Sequence, residues 1–253
     1  PADRAFPAAS GSLPEAVVSG RYALYFTPTP GSPLERFGAT WFSDEIGTGP
    51  TPDRSLHGGI SPERHREITA SARHYGFHAT LKAPFALKKG NTPDLLESAL
   101  ATFADRRTPV ADVRLNVGIL DGFIALVPTE GASALQKLAA DCVRVFDPFR
   151  EPPSEEDLAR RRQAPLSERQ DALLQRWGYP YVMEAFRFHM TLTCRLTGVE
   201  CSQLESSLRK GFEPFAGESI ALDAISLCHQ ETRTSPFRLL RRYPFSGAAS
   251  LSN

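Results

Sequence analysis

Two short stretches carry the same polar pattern. GFHATLKAPF occupies residues 76–85 and RFHMTLTCRL occupies residues 187–196. Each reads Phe, His, any residue, Thr, Leu. An extended chain sends successive side chains to opposite faces. His78 and Thr80 therefore project together, as do His189 and Thr191, while Phe77, Ala79, Leu81 and Phe188, Met190, Leu192 face the other way. Strict parity adds Gly76 and Lys82 to the first polar face and Arg187 and Thr193 to the second. Imidazole titrates near neutrality, so one histidine can hold a proton while its partner lacks one. Such a pair can cleave a phosphate ester, one ring taking a proton from water and the other giving one to the leaving alkoxide. Hydroxyls and cations beside them can hold the phosphoryl oxygens. A lone His-x-Thr is read as a structural histidine. Two copies at corresponding places in two half-chains point to catalysis, with no metal and no cofactor required.

The elements that must position these residues follow from local signals. RYALYF (21–26) reads as a strand with Tyr22, Leu24 and Phe26 on its apolar side, leaving Tyr25 for the polar side. Residues 33–43 read as a helix with proline in its first turn, and Ser61-Pro62 opens another that ends near His74. Residues 44–60 are dense in turn formers and read as a loop. A helix is expected over 93–107, strands over 111–118 and 121–127 around a tight turn at Leu120-Asp121-Gly122, and an amphipathic helix over 132–146. Residues 154–177 read as two helices divided at Pro165. The second repeat, a helix over 202–212 and strands near 219–228 and 237–243 complete the chain. The halves look like an approximate duplication, which predicts two α+β lobes facing each other across a cleft. His74 and His78 are four apart, but Gly76 between them argues against a shared helix face for a metal. His229 reads as a surface histidine.

Bulk properties narrow the partners. Lys plus Arg and Asp plus Glu are 29 each, so the formal net charge is zero. Proteins that grip long nucleic acid carry a cationic surplus, so the balance favours a small charged ligand. No apolar run is long enough to span a membrane, and residues 1–20 read as a loose tail without the pattern of a signal peptide. The four cysteines, Cys142, Cys194, Cys201 and Cys228, lack CxxC spacing and read as reduced thiols of a cytoplasmic protein. A monomer is the expected state.

With His78-Ala79-Thr80-Leu81 and His189-Met190-Thr191-Leu192, the chain resembles the 2H phosphoesterase superfamily. RYALYFTP, YGFHATLKAPF, LARRRQAPLSERQ and WGYPYVMEAFRFHMTLT are similar to one bacterial subgroup of that superfamily, a domain of unknown function labelled for phosphonate metabolism after its gene neighbours. The resemblance implies an α+β, two-lobed, pseudo-twofold 2H phosphoesterase (LigT-like) fold, each lobe a mostly antiparallel sheet with outer helices. It places a single bilobed domain over 21–245, with a helical insertion at about 154–177 and a tail at 246–253. It implies metal-independent hydrolysis of a small cyclic phosphate ester, a ribose cyclic phosphate or a 2′,3′-cyclic nucleotide. His78 and His189 become the acid–base pair, and Thr80 and Thr191 the phosphate ligands. Lys82, Arg187 and Tyr25 are added as phosphate ligands by parity alone. The insertion reads either as a lid carrying Arg160, Arg161 and Arg162 toward an anionic substrate or as a solvated helix face.

Two other functions fit the same residues. An RNA-end-processing 2′,3′-cyclic phosphodiesterase or 2′,5′-ligase-like enzyme would share the site but need a basic groove. A non-catalytic module binding a phosphorylated metabolite would need no turnover.

Overall fold

The computed structural model describes residues 20–43 and 59–247. Most of both expected tails and of the 44–60 loop lies outside these residues. The strands are β1 (Arg21–Phe26), β2 (Ala79–Phe85), β3 (Val110–Leu120), β4 (Phe123–Glu130), β5 (Met190–Arg195), β6 (Ile220–Leu222), β7 (Ala224–Gln230) and β8 (Arg238–Pro244). The helices are α1 (Pro33–Trp41), α2 (Pro62–Tyr75), α3 (Pro93–Asp105), α4 (Ala132–Phe146), α5 (Glu155–Arg161), α6 (Glu168–Trp177) and α7 (Gly198–Ala216).

Local chemistry explains most boundaries. Ser32, Ser61, Thr92, Ser154 and Ser167 each accept a backbone N–H three residues on, satisfying one of the free donors at a helix start. Ser167 and Gln170 complete a reciprocal capping box at α6. Asp121 and Gly122, at φ 48° and 86°, form the two-residue loop between β3 and β4, the left-handed pair that a tight hairpin demands.

The fold is α+β, and the strands form one eight-stranded sheet in the order β6-β3-β4-β5-β2-β1-β7-β8, with every pairing antiparallel. This departs from separate sheets built from consecutive half-chains. One side of the sheet centre holds β3 and β4 from the first half with β5 and β6 from the second; the other holds β1 and β2 with β7 and β8. The first half's β3–β4 hairpin thus lies beside the second repeat strand, β5, and the second half's β7–β8 hairpin lies beside β1. The two repeat strands, β2 and β5, meet in the middle.

One face of the sheet is sealed by helices. Tyr22, Leu24, Phe26, Leu81, Ile124, Leu126, Met190 and Leu227 pack there with Phe37 and Trp41 of α1, Ile68 of α2, Leu96 and Leu100 of α3, Leu135 and Phe146 of α4, and Leu204 and Phe212 of α7. Trp41 Nε1 donates to the Leu192 carbonyl at 2.9 Å, tying α1 to β5. The opposite side carries a small separate cluster, Ala23, Tyr25, Cys228 and Phe237.

Candidate active site

The phenylalanines of both repeats aim their histidines. Phe77 lies against Phe37 and Phe42, with ring centroids at 6.4 and 5.8 Å. It also packs so closely on α1 that a Cβ at Gly38 would fall 2.0 Å from its ring. Phe188 is buried beside Phe26. With these side chains in the core, alternation turns His78, Thr80, His189 and Thr191 to the other face, where all four are half-buried. Ala79 pairs with Met190. That one pairing sets the two His-x-Thr motifs side by side, His78 and Thr80 flanking Ala79 and His189 and Thr191 flanking Met190.

The two imidazoles are oriented alike. His78 Nδ1 donates to the Gly76 carbonyl at 2.8 Å, and His189 Nδ1 donates to the Arg187 carbonyl at 2.8 Å. A carbonyl only accepts, so each Nδ1 carries a hydrogen and each neutral ring keeps its lone pair on Nε2. His78 Nε2 takes a hydrogen bond from the Thr80 hydroxyl at 3.2 Å. Gly76 holds φ 76° and ψ 172° as it closes α2, a conformation only glycine adopts without strain, and this turns its carbonyl onto His78.

Electrostatics separates the pair. Burial pushes the His78 imidazolium down to about 4, against the Gly76 hydrogen bond, and the charge of His189 adds to the depression. His189 is also lowered by burial, but the Arg187 carbonyl and the Asp121 carboxylate both favour its charged form. Asp121 reaches this position from the β3–β4 turn, because β4 lies beside β5. Phe123 packs beside the His189 ring at 5.5 Å. Tyr25 stacks on His78 with centroids 3.9 Å apart, and Tyr75 and Phe237 extend the aromatic wall at 6.2 Å from His78 and 5.8 Å from Tyr25. Burial raises the Tyr25 hydroxyl well above the ordinary tyrosine range, so it stays a neutral hydrogen-bonding group.

Other residues placed here by strict alternation stand elsewhere. Between Tyr25↔Thr80 and Leu24↔Lys82 the β1–β2 register slips by one, as at a β-bulge. Lys82 thereby shares the rank of Leu24, in the core, and not that of Tyr25. It is buried beneath α4, 3.4 Å from both the Val143 carbonyl and Asp147. Thr193 sits in a second register shift, accepting from the Ile124 N–H at 3.0 Å and donating to the Cys194 carbonyl at 2.8 Å. The Arg187 side chain is exposed, and its backbone carbonyl is the part that serves the site. His229 is buried against Tyr22, correcting the surface reading. His74 accepts from Gln230 Nε2 at 2.9 Å. Within the insertion, Arg160 and Arg161 line a cavity of about 360 Å³, while Arg162 pairs with Asp171 at 2.7 Å. Among the described residues no group of three or more His, Cys, Asp or Glu side chains could hold a metal ion, and no helix is long and apolar enough to cross a membrane. Among those residues the four cysteines are free thiols.

The fold and site define an α+β protein with two repeat strands, each entered through a His-x-Thr motif, adjacent at the centre of one antiparallel sheet. The chain belongs to the family described as "Protein of unknown function (DUF1045)", whose model matches residues 80–238. It is similar to two curated proteins, each named "Ribose 1,5-bisphosphate phosphokinase PhnN". The one from Janthinobacterium sp. (strain Marseille) is 41% identical over 233 residues, 90% of this chain and 51% of the relative. That from Laribacter hongkongensis (strain HLHK9) is 33% identical over 222 residues, 87% of this chain and 51% of the relative. The chain spans about half the length of these curated relatives. The crystal structure of TT0787 of Thermus thermophilus aligns with a TM-score of 0.44 at 14% identity, covering 90% of this chain and 100% of that one.

Proposed function

We propose that the protein is a phosphodiester hydrolase of the 2H type, opening a small cyclic phosphate ester between His78 and His189. In this reading the two sides of the sheet are the two lobes of a 2H fold. The observation that carries it is the matched orientation of the rings: each Nδ1 is committed to the carbonyl two residues before it, so substrate meets the Nε2 side of each ring, where at His78 it takes over the Thr80 hydroxyl now 3.2 Å away. His78, the ring held further toward neutrality, is the base. It takes a proton from water as the water oxygen bonds to phosphorus. His189, whose charged form Asp121 favours, gives its proton to the departing ring oxygen as the P–O bond breaks. The product is a phosphate monoester, and solvent returns the two protons to their starting places. Thr80 and Thr191 donate to the non-bridging oxygens, where charge builds. Tyr25 holds the His78 ring by stacking.

The kinase name of the curated relatives is not carried over. No glycine of this chain is followed by lysine, so it lacks the G-x-x-x-x-G-K-[ST] loop that cradles nucleotide phosphates. The ribose phosphate in that name and the phosphonate label of the resemblance support a ribose-derived cyclic phosphate, met in the cytoplasm during phosphonate breakdown, as the substrate. The test is a phosphorus NMR screen of ribose cyclic phosphates and the four 2′,3′-cyclic mononucleotides, with EDTA present. Ring opening by the native protein and its loss in both His78→Ala and His189→Ala is the expected result. Full activity in either variant overturns the assignment.

A further inference from the structure

The cavity beside the insertion has a composition that the histidine pair does not explain. Arg21, Arg150, Arg160, Arg161 and Arg233 line it, against Glu151, Asp157 and Glu231. Two of the carboxylates, Glu151 and Glu231, are exposed. Arg150 is already engaged by Asp147 at 2.9 Å and by the Arg176 carbonyl at 3.2 Å. Arg160 and Arg233 share a single carboxylate, Asp157, at 2.6 and 2.8 Å. Arg21 Nε donates to the neutral amide of Gln230 at 2.9 Å. Arg161 lies over the Tyr179 ring at 4.6 Å. Among the described residues neither Arg21 nor Arg161 has a carboxylate within ion-pair distance, although Asp157 acts on Arg161 from further off. Guanidinium groups crowded together, two of them with only neutral groups in direct contact, repel one another and favour an added anion. Burial lowers both the Arg21 and the Arg161 guanidinium; at Arg21 the charges of Arg233 and Arg160 add to this against Tyr75 and Tyr25, and at Arg161 Tyr179, Asp157 and Tyr75 oppose it while Arg160 adds to it.

This cluster is joined to the histidines by the aromatic wall. Arg21 and Tyr25 share a face of β1, four residues apart, about 13 Å along a strand. The Arg21 guanidinium lies 5.9 Å from the Phe237 ring, Phe237 lies 5.8 Å from Tyr25, and Tyr25 stacks on His78 at 3.9 Å. A volume of about 360 Å³ suits a sugar-phosphate-sized group. Planar guanidinium forks match the oxygens of a phosphate monoester, which carries close to two charges at neutral pH.

We propose that this cavity is the subsite for a second phosphate, a terminal monoester on the same sugar whose cyclic phosphate lies between His78 and His189. The proposal rests on the hydrolase reading for the role of the pocket, but not for its ligand chemistry. Calorimetry with ribose 5-phosphate and with ribose, on the native chain, tests the ligand without turnover. Ribose 5-phosphate binds and ribose does not; Arg161→Gln and the more exposed Arg233→Gln each weaken binding by roughly 10–100-fold, the worth of a charge-assisted hydrogen bond. Arg162→Gln, whose side chain pairs with Asp171, leaves it unchanged. Equal binding of both sugars, or binding indifferent to Arg161→Gln and Arg233→Gln, overturns the subsite. A second arm compares kcat/KM for a ribose cyclic phosphate with and without a 5-phosphate. Turnover with no preference removes the subsite and keeps the hydrolase. Arginine-dependent binding of ribose 5-phosphate with no turnover of any cyclic phosphate keeps the anion site and removes the hydrolase.

Discussion

Ala79 of β2 lies opposite Met190 of β5. Both side chains are buried in the helix-covered core. The residues on either side of each therefore turn outward together, and one backbone pairing sets His78 and Thr80 beside His189 and Thr191 on the same face. His78 and His189 stand immediately before the two central strands, and Thr80 and Thr191 stand on them; anchoring to adjacent central strands favours a fixed distance between acid and base.

The assignment of His78 as base and His189 as acid predicts different responses to the leaving group. His189→Ala loses about 10²–10⁴ in rate on an alkoxide-leaving cyclic diester. On a diester that releases nitrophenolate, which needs no proton, it regains much of that rate. His78→Ala loses activity on both substrates, since water still needs its base. A His78→Ala enzyme rescued by nitrophenolate while His189→Ala is not would reverse the roles.

Lys82 carries a structural prediction. Burial lowers its ammonium to about 8, with Asp147 opposing. Removing it does not strand Asp147, because Arg150 remains 2.9 Å away. Exchange of a buried charge for an apolar side chain of similar length is commonly neutral or stabilising. Lys82→Met therefore keeps Tm at or above the native value, and changes kcat/KM by no more than about threefold, under 1 kcal/mol. A hundredfold loss of kcat/KM with an unchanged Tm would return Lys82 to the phosphate.

How far the sequence reached depended on how local each signal was. The helix start at Ser61, the Asp121-Gly122 turn and the alternation through His78 and His189 all lie within a few residues, and each was legible. Lys82 and Thr193 were misplaced because alternation was carried through register shifts, which exist only once β1 and β4 lie alongside. Asp121 was legible as a turn residue. Its approach to His189 depends on β4 lying next to β5, a long-range pairing with no sequence signal. The exchange of hairpins between half-chains was hidden for the same reason, as was the gathering of Arg21 and Arg233 with the insertion.

Gly38 is predicted to control His78 from the far face. A Cβ there meets the Phe77 ring at 2.0 Å. Phe77 must move, and its neighbour His78 moves with it. Gly38→Ala costs roughly 1–3 kcal/mol of stability as an overpacked contact, and kcat falls by as much as about 10²-fold if the ring shifts by an ångström. Phe77→Leu added to Gly38→Ala vacates the space and recovers part of both losses. Thermal melts and steady-state kinetics on the two single variants and the double variant measure the coupling; purely additive effects would show that this contact does not position His78.

The pH profile follows from the two rings. For free enzyme and substrate, kcat/KM requires His78 neutral and His189 protonated. His78 loses its proton above about 4, so activity rises with pH through that value. His189 is held below the ordinary histidine value of 6.5, so activity falls as pH rises through a point below 6.5. The bell is thus centred on the acid side of neutrality. Asp121 opposes the lowering of His189. Asp121→Asn removes a carboxylate that favours the imidazolium, so the alkaline limb moves to lower pH and the bell narrows, while the acid limb set by His78 stays in place. Asp121→Glu keeps the charge and retains more of the native alkaline limb. The measurement is kcat/KM from about pH 3.5 to 9, a span bracketing both rings, for the native protein and both variants at constant ionic strength. An alkaline limb that stays fixed or moves upward in Asp121→Asn would show that His189 is not the proton donor.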